Sequence, residues 1–239
     1  MDTILDINTL FGPLPSASSD LNVDSLLTLM QKHKVSQACT LSTLGLLLDP
    51  NTGNTATRAA CTEHPELMPM ATFNPKLYFG DTAPLLRVKA DGFRLLRFFP
   101  KAQGWPVDFA PFRALLRCID ELALPLMIEI EESGEITDLA EVLKTYPAPV
   151  ILAGVTIEHL AEAIATLRHH EGWHLETSLL LAPGAITQVV NTLGANRLLF
   201  GTGAPSHPIA SALFTLQYAG VSDAERLQIL SANAQRILK

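Results

Sequence analysis

Eight short apolar runs punctuate this chain, and each is followed by a longer segment with helical periodicity. The runs cover residues 3–8, 35–41, 67–73, 93–99, 126–130, 150–153, 173–177 and 197–200, and several stop at Gly, Pro or Asn-Pro. Helices are expected at 23–34, 51–64, 81–89, 109–122, 135–146, from 157 behind a Thr156 cap, and at 184–193, with closing helices at 209–219 and 224–238. In the first of these, Val23, Leu26, Leu27 and Met30 fall on one face. A strand joined to the next through a helix pairs in parallel, because the crossover returns the chain to the same end of the sheet. Eight such units in 239 residues predict a (β/α)8 TIM barrel, a single α/β domain over residues 1–239. Neither a GxGxxG after the first run nor a GxxxxGK[ST] occurs, which removes the main phosphate-cradling alternatives.

Composition narrows the partners. Hydrophobic residues make up 48% of the chain, but charges interrupt them too often for a membrane span. A net charge of −7 with no basic stripe argues against nucleic acid. The start, Met1 to Asp6, is acidic where a signal peptide would be basic, so the expected location is the cytoplasm. Cys39, Cys61 and Cys118 are odd in number and lack metal-type spacing, and they read as structural thiols in a reducing compartment. No GxSxG elbow points to a serine hydrolase. The Pro- and Ser-rich stretch from Gly12 to Asp20 is a candidate lid, and assembly into a homo-oligomer is left open.

The ends of the apolar runs carry the functional signal, since active sites of parallel barrels lie at the carboxyl ends of the strands. Ile4-Leu5-Asp6-Ile7-Asn8-Thr9-Leu10-Phe11-Gly12, Gly92 to Pro100, Leu124-Pro125-Leu126-Met127-Ile128-Glu129, Pro149 to Gly154, Phe200-Gly201-Thr202-Gly203-Ala204-Pro205 and the closing Ile229 to Leu238 follow in that order. Taken together, they resemble the amidohydrolase-related (amidohydrolase 2) family of metal-dependent TIM-barrel hydrolases. The resemblance implies an amidohydrolase-like barrel and a hydrolase ancestry. It also places Asn8, Leu10, Glu129, Gly154 and Gly203 where that family carries metal-binding or proton-moving residues. Of these only Glu129 ligates well, and a catalytic zinc needs three protein ligands. The histidines do not replace the rest: His33, His64, His169, His170 and His174 belong to the opposite end of the barrel, whereas His159 and His207 lie near the mouth. The chain is therefore expected to hold no metal and no cofactor.

What remains at the mouth is polar and convergent. Arg97 and Glu129 fall on neighbouring strands with inward register, so Arg97 is a candidate for gripping a substrate carboxylate and Glu129 for acid–base catalysis. Asn8, Asn74, Ser178, Thr202 and His207 are the further candidates for substrate contact. The plainer reading of Arg97 and Glu129 is a buried ion pair. In the same way, Trp105 and Trp173 read as packing aromatics, and Asn233 as a scaffold amide bonding nearby backbone. Two functions follow. One is a metal-independent hydrolase or lyase acting on a small anionic, carboxylated molecule; the alternative is a catalytically inactive family member that binds a small molecule or serves as a partner subunit.

Overall fold

The computed structural model describes residues 3–15 and 21–239, so most of the candidate lid, residues 16–20, lies outside the described residues. Eight parallel strands follow one another around a (β/α)8 barrel in chain order. They are β1 (Leu5–Phe11), β2 (Gln37–Ser42), β3 (Leu67–Thr72), β4 (Leu95–Phe98), β5 (Leu126–Glu129), β6 (Val150–Ala153), β7 (Trp173–Glu176) and β8 (Leu198–Leu199). The first helices are α1 (Val23–His33), α2 (Leu44–Leu47), α3 (Pro50–Glu63), α4 (Ala83–Ala90), α5 (Pro100–Gln103) and α6 (Ala110–Ile119). They are followed by α7 (Glu135–Val142), α8 (Leu160–Leu167), α9 (Ala185–Leu193), α10 (Ile209–Gln217), α11 (Asp223–Leu227) and, after a π-turn at Gln228–Ala232, α12 (Asn233–Ile237).

The period of two along each strand sorts side chains into two layers. Leu5, Ile7, Cys39, Leu41, Met70, Leu95, Met127, Ile151 and Leu199 fill the barrel interior, joined by Ala234 and Leu238 from the C-terminal segment. Leu96, Phe98, Leu126, Ile128, Leu152 and Leu175 face the helices instead, where Trp105 and Phe112 pack on Phe98 and Trp173 joins the same layer. The barrel closes where Ile7 N donates to Phe200 O (2.9 Å), Leu10 N to Ala204 O (2.8 Å) and Gly203 N to Asn8 O (2.9 Å). Among the described residues no helix is long and apolar enough to cross a membrane.

Among the boundaries that differ from expectation, three have a clear cause. β1 runs on to Phe11 because an irregularity between Asp6 and Thr9 lets it keep pairing with β2 while it also meets the β8 segment. β8 shrinks to two residues, since Arg197 ends a 3-10 turn and spends its guanidinium on the carbonyls of Trp173, Leu167 and His170. α8 begins at Leu160, not 157, because the Thr156 hydroxyl accepts from Glu158 N (3.3 Å) in a preceding turn and the cap position falls to His159.

Candidate functional site

Leu95, Arg97 and Phe99 share the inward face of β4 and its extension, which brings a guanidinium into an otherwise apolar interior. Arg97 is 3% exposed, and its charge is met from two sides. Nη1 donates to Asn8 Oδ1, and Nη2 donates to Glu129 Oε2 at 2.6 Å. Its Cζ also lies 4.6 Å from the centre of the Phe99 ring, a cation–π arrangement. Glu129 ends β5 and is the wetter partner, with 23% of its side chain exposed.

A second carboxylate, passed over in the sequence, lies beside this pair. Trp173 and Leu175 face the helices, so alternation turns Glu176 inward, where it is fully buried. Ser178 donates to it twice, from N (2.9 Å) and from Oγ (2.5 Å), and Gly154 N donates at 3.3 Å. Burial raises its pKa; the Ser178 bonds and Arg97 oppose the rise, and the charge of Glu129 reinforces it. A third carboxylate, Asp6, is pushed up to about 7 by burial, against the bonds it accepts from Thr202 and Asn8. Asp6 accepts from Thr202 Oγ1 (2.5 Å), Thr202 N (3.1 Å) and Asn8 N (3.0 Å), tying β1 to the residues after β8.

The glycines at the strand ends make room for these side chains. At Gly154, with φ of +77°, a Cβ would come within 2.9 Å of Glu129 Oε1 and 2.6 Å of Ile130 O. At Gly201 it would lie 2.2 Å from Glu176 Oε2. At Gly203 it would meet His207 Cδ2 at 2.8 Å and Ser178 Cβ at 3.4 Å. Positions 154 and 203, where the resemblance places metal-binding or proton-moving residues, thus hold space for Glu129 and His207.

The predicted residues separate accordingly. Arg97, Glu129 and Asn8 form one bonded cluster, and Ser178 adjoins it through Glu176. Thr202 is fully buried with its hydroxyl committed to Asp6, whereas His207 is half-buried beside Gly203. Asn74 turns back on its own chain, accepting from Lys76 N (3.0 Å) to cap the 3-10 turn at Pro75–Leu77. Glu131 and Glu132 are exposed and lie within salt-bridge distance of Lys101. Among the described residues no three His, Cys, Asp or Glu side chains converge in a group that could hold a metal ion.

A family model described as Amidohydrolase matches residues 49–239. No curated protein matches the chain by sequence. Solved structures match over its whole length. The 2,6-dihydroxybenzoate decarboxylase from Rhizobium has a TM-score of 0.79 at 17% identity, covering 100% of this chain and 99% of that one. A 5-carboxyvanillate decarboxylase from Sphingomonas paucimobilis gives 0.76 at 13% identity, with coverage of 100% and 99%. A dihydroxybenzoic acid decarboxylase from Polaromonas, solved with manganese and 2-nitroresorcinol, gives 0.77 at 16% identity, with coverage of 100% and 97%. At such identities the likeness is one of fold.

Proposed function

The chain belongs to the amidohydrolase family, and from that premise we propose that its barrel mouth binds a small carboxylated molecule on Arg97 without a metal ion, while Glu129 moves a proton in a hydrolytic or bond-cleaving step. The observation that carries this reading is a buried guanidinium paired with a partly exposed carboxylate. An incoming carboxylate can exchange with Glu129 on Arg97, because the guanidinium fork fits either carboxyl group. The exchange keeps the buried positive charge paired, which matters because stranding it would cost several kcal/mol. It also releases Glu129 from its cation and leaves that carboxyl beside the bound molecule, within reach of a proton at the breaking bond.

A metal ion does not fit the groups present. Leu10, Gly154 and Gly203 offer no side-chain donor, and Asn8 Oδ1 and Glu129 Oε2 are already bonded to Arg97. The guanidinium already supplies fixed positive charge among them. The solved relatives named above are decarboxylases of aromatic carboxylic acids, and that ligand class suits a pocket whose cation is flanked by Phe99. A second reading, binding without turnover, is favoured by one observation: Glu176 and Asp6 are fully buried and engaged by Ser178 and Thr202, leaving Glu129 as the partly exposed carboxyl.

Calorimetric titration of benzoate and 2,6-dihydroxybenzoate in the presence of EDTA tests both readings. Saturable binding is expected, with affinity reduced tenfold or more, that is by about 1.5–3 kcal/mol, in Arg97→Met, and with benzamide failing to bind. Glu129→Gln should retain binding and abolish any turnover of the bound acid. Absence of carboxylate binding, or binding that EDTA removes, overturns the assignment; binding without turnover in the unmutated protein selects the second reading.

A further inference from the structure

We propose that the Thr72 hydroxyl and the Arg97 Nε–H form a two-donor subsite that receives one oxygen of the ligand's carboxylate. This rests on the assignment of Arg97 above and adds a residue to it. Thr72 ends β3 and is the register partner of Arg97 on β4. Both continue the inward rows begun by Met70 and Leu95, so their side chains stand on one face of strands about 4.8 Å apart.

Thr72 is fully buried and Arg97 nearly so, yet Thr72 Oγ1 and Arg97 Nε have no hydrogen-bond partner among the described residues. Interiors leave few polar atoms in that state, because each one loses its water without compensation. Two such atoms on register partners beside the same cation point to one missing acceptor. The other polar atoms of these two residues are already committed. Arg97 Nη1 and Nη2 go to Asn8 and Glu129, and the backbone N and O of Thr72 are bonded by the Asn54 side chain at 2.9 and 3.0 Å. The Thr72 rotamer is held by packing: its methyl seats against Gly45 of α2, where a Cβ would come within 2.7 Å.

The chemistry of the pair selects the ligand group. A guanidinium nitrogen only donates, and a hydroxyl donates or accepts, so a single acceptor oxygen satisfies both. A carboxylate oxygen has lone pairs for two donors. Nε and a terminal nitrogen share one edge of the guanidinium, so a carboxylate can straddle that edge with one oxygen on Nε and Thr72 and the other on the nitrogen that Glu129 vacates.

The test is benzoate affinity, with thermal unfolding of the ligand-free protein as a control. Thr72→Val keeps the shape and removes the hydroxyl; it should weaken benzoate about tenfold or more while leaving the melting temperature unchanged or higher. Thr72→Ser should restore affinity to within about threefold of the original, since it returns the donor. Unchanged affinity in Thr72→Val, with binding still lost in Arg97→Met, overturns the subsite and leaves the Arg97 assignment standing. Failure of the unmutated protein to bind benzoate overturns both. A Thr72→Val chain that does not fold also overturns the subsite, because a hydroxyl without a partner has no stabilising bond to lose.

Discussion

Asp6 is a residue whose charge the fold tolerates poorly. Its carboxyl is fully buried, and its pKa is raised to about 7 from an ordinary value near 4. A carboxyl shifted upward contributes stability that is complete below its unfolded pKa and is lost as the pH climbs through its folded pKa. The expected loss between pH 4 and pH 8 is roughly 4 kcal/mol. Asp6→Asn keeps an acceptor for Asn8 N and Thr202 N and removes the titration. The stability difference between variant and wild type, measured by urea unfolding across that range, should therefore move in the variant's favour by roughly that amount. A difference constant with pH would show that Asp6 titrates normally. Arg97 and Glu129 stood out in the sequence because they sit in family-like motifs on neighbouring strands with inward register, and the structure pairs them. Glu176 and Asp6 were not, because nothing local distinguishes a carboxylate that ends buried under Ser178 or Thr202 from one facing water.

At the level of elements, the strand ends and the glycines that follow them set the shape of the mouth. Gly201 lets Glu176 of β7 reach across toward the residues after β8, and a methyl group there would sit 2.2 Å from Glu176 Oε2 and 3.0 Å from Asn8 Cβ. Gly201→Ala must push Glu176 off its bonds to Ser178 and Gly154, with an expected cost of about 2–3 kcal/mol in chemical denaturation. Adding Glu176→Asp, which shortens the side chain by one methylene, should recover part of that loss. A Gly201→Ala protein as stable as the original would mean that Glu176 does not occupy that space. Periodicity revealed that these strands and helices exist, since alternation and the 3.6-residue repeat are local. It missed the two-residue length of β8 and the irregularity in β1, because both are fixed by hydrogen bonds between distant residues, such as Arg197 Nε to Trp173 O for β8 and Thr202 N to Asp6 Oδ1 for β1.

Over the whole molecule, closure of the barrel depends on the chain's end as well as its strands. Asn233, buried, donates from Nδ2 to Ala195 O (2.8 Å) and Leu198 O (2.9 Å), fastening the C-terminal segment to the entry of β8, as its place in the closing helix led us to expect. Asn233→Ala removes two bonds to buried carbonyls and should destabilise the protein by about 1–3 kcal/mol while leaving benzoate affinity unchanged. Loss of affinity together with stability would place Asn233 in the binding site instead. The sequence by itself determined the barrel, because eight βα units of this length have few other ways to bury their apolar faces. It also marked the family, through motifs at the strand ends. Only the tertiary structure decided what the mouth contains. Whether a guanidinium is free or paired, which carboxylates are dry and which glycines leave room for them are set by contacts between distant strands, and no local pattern in the chain encodes those contacts.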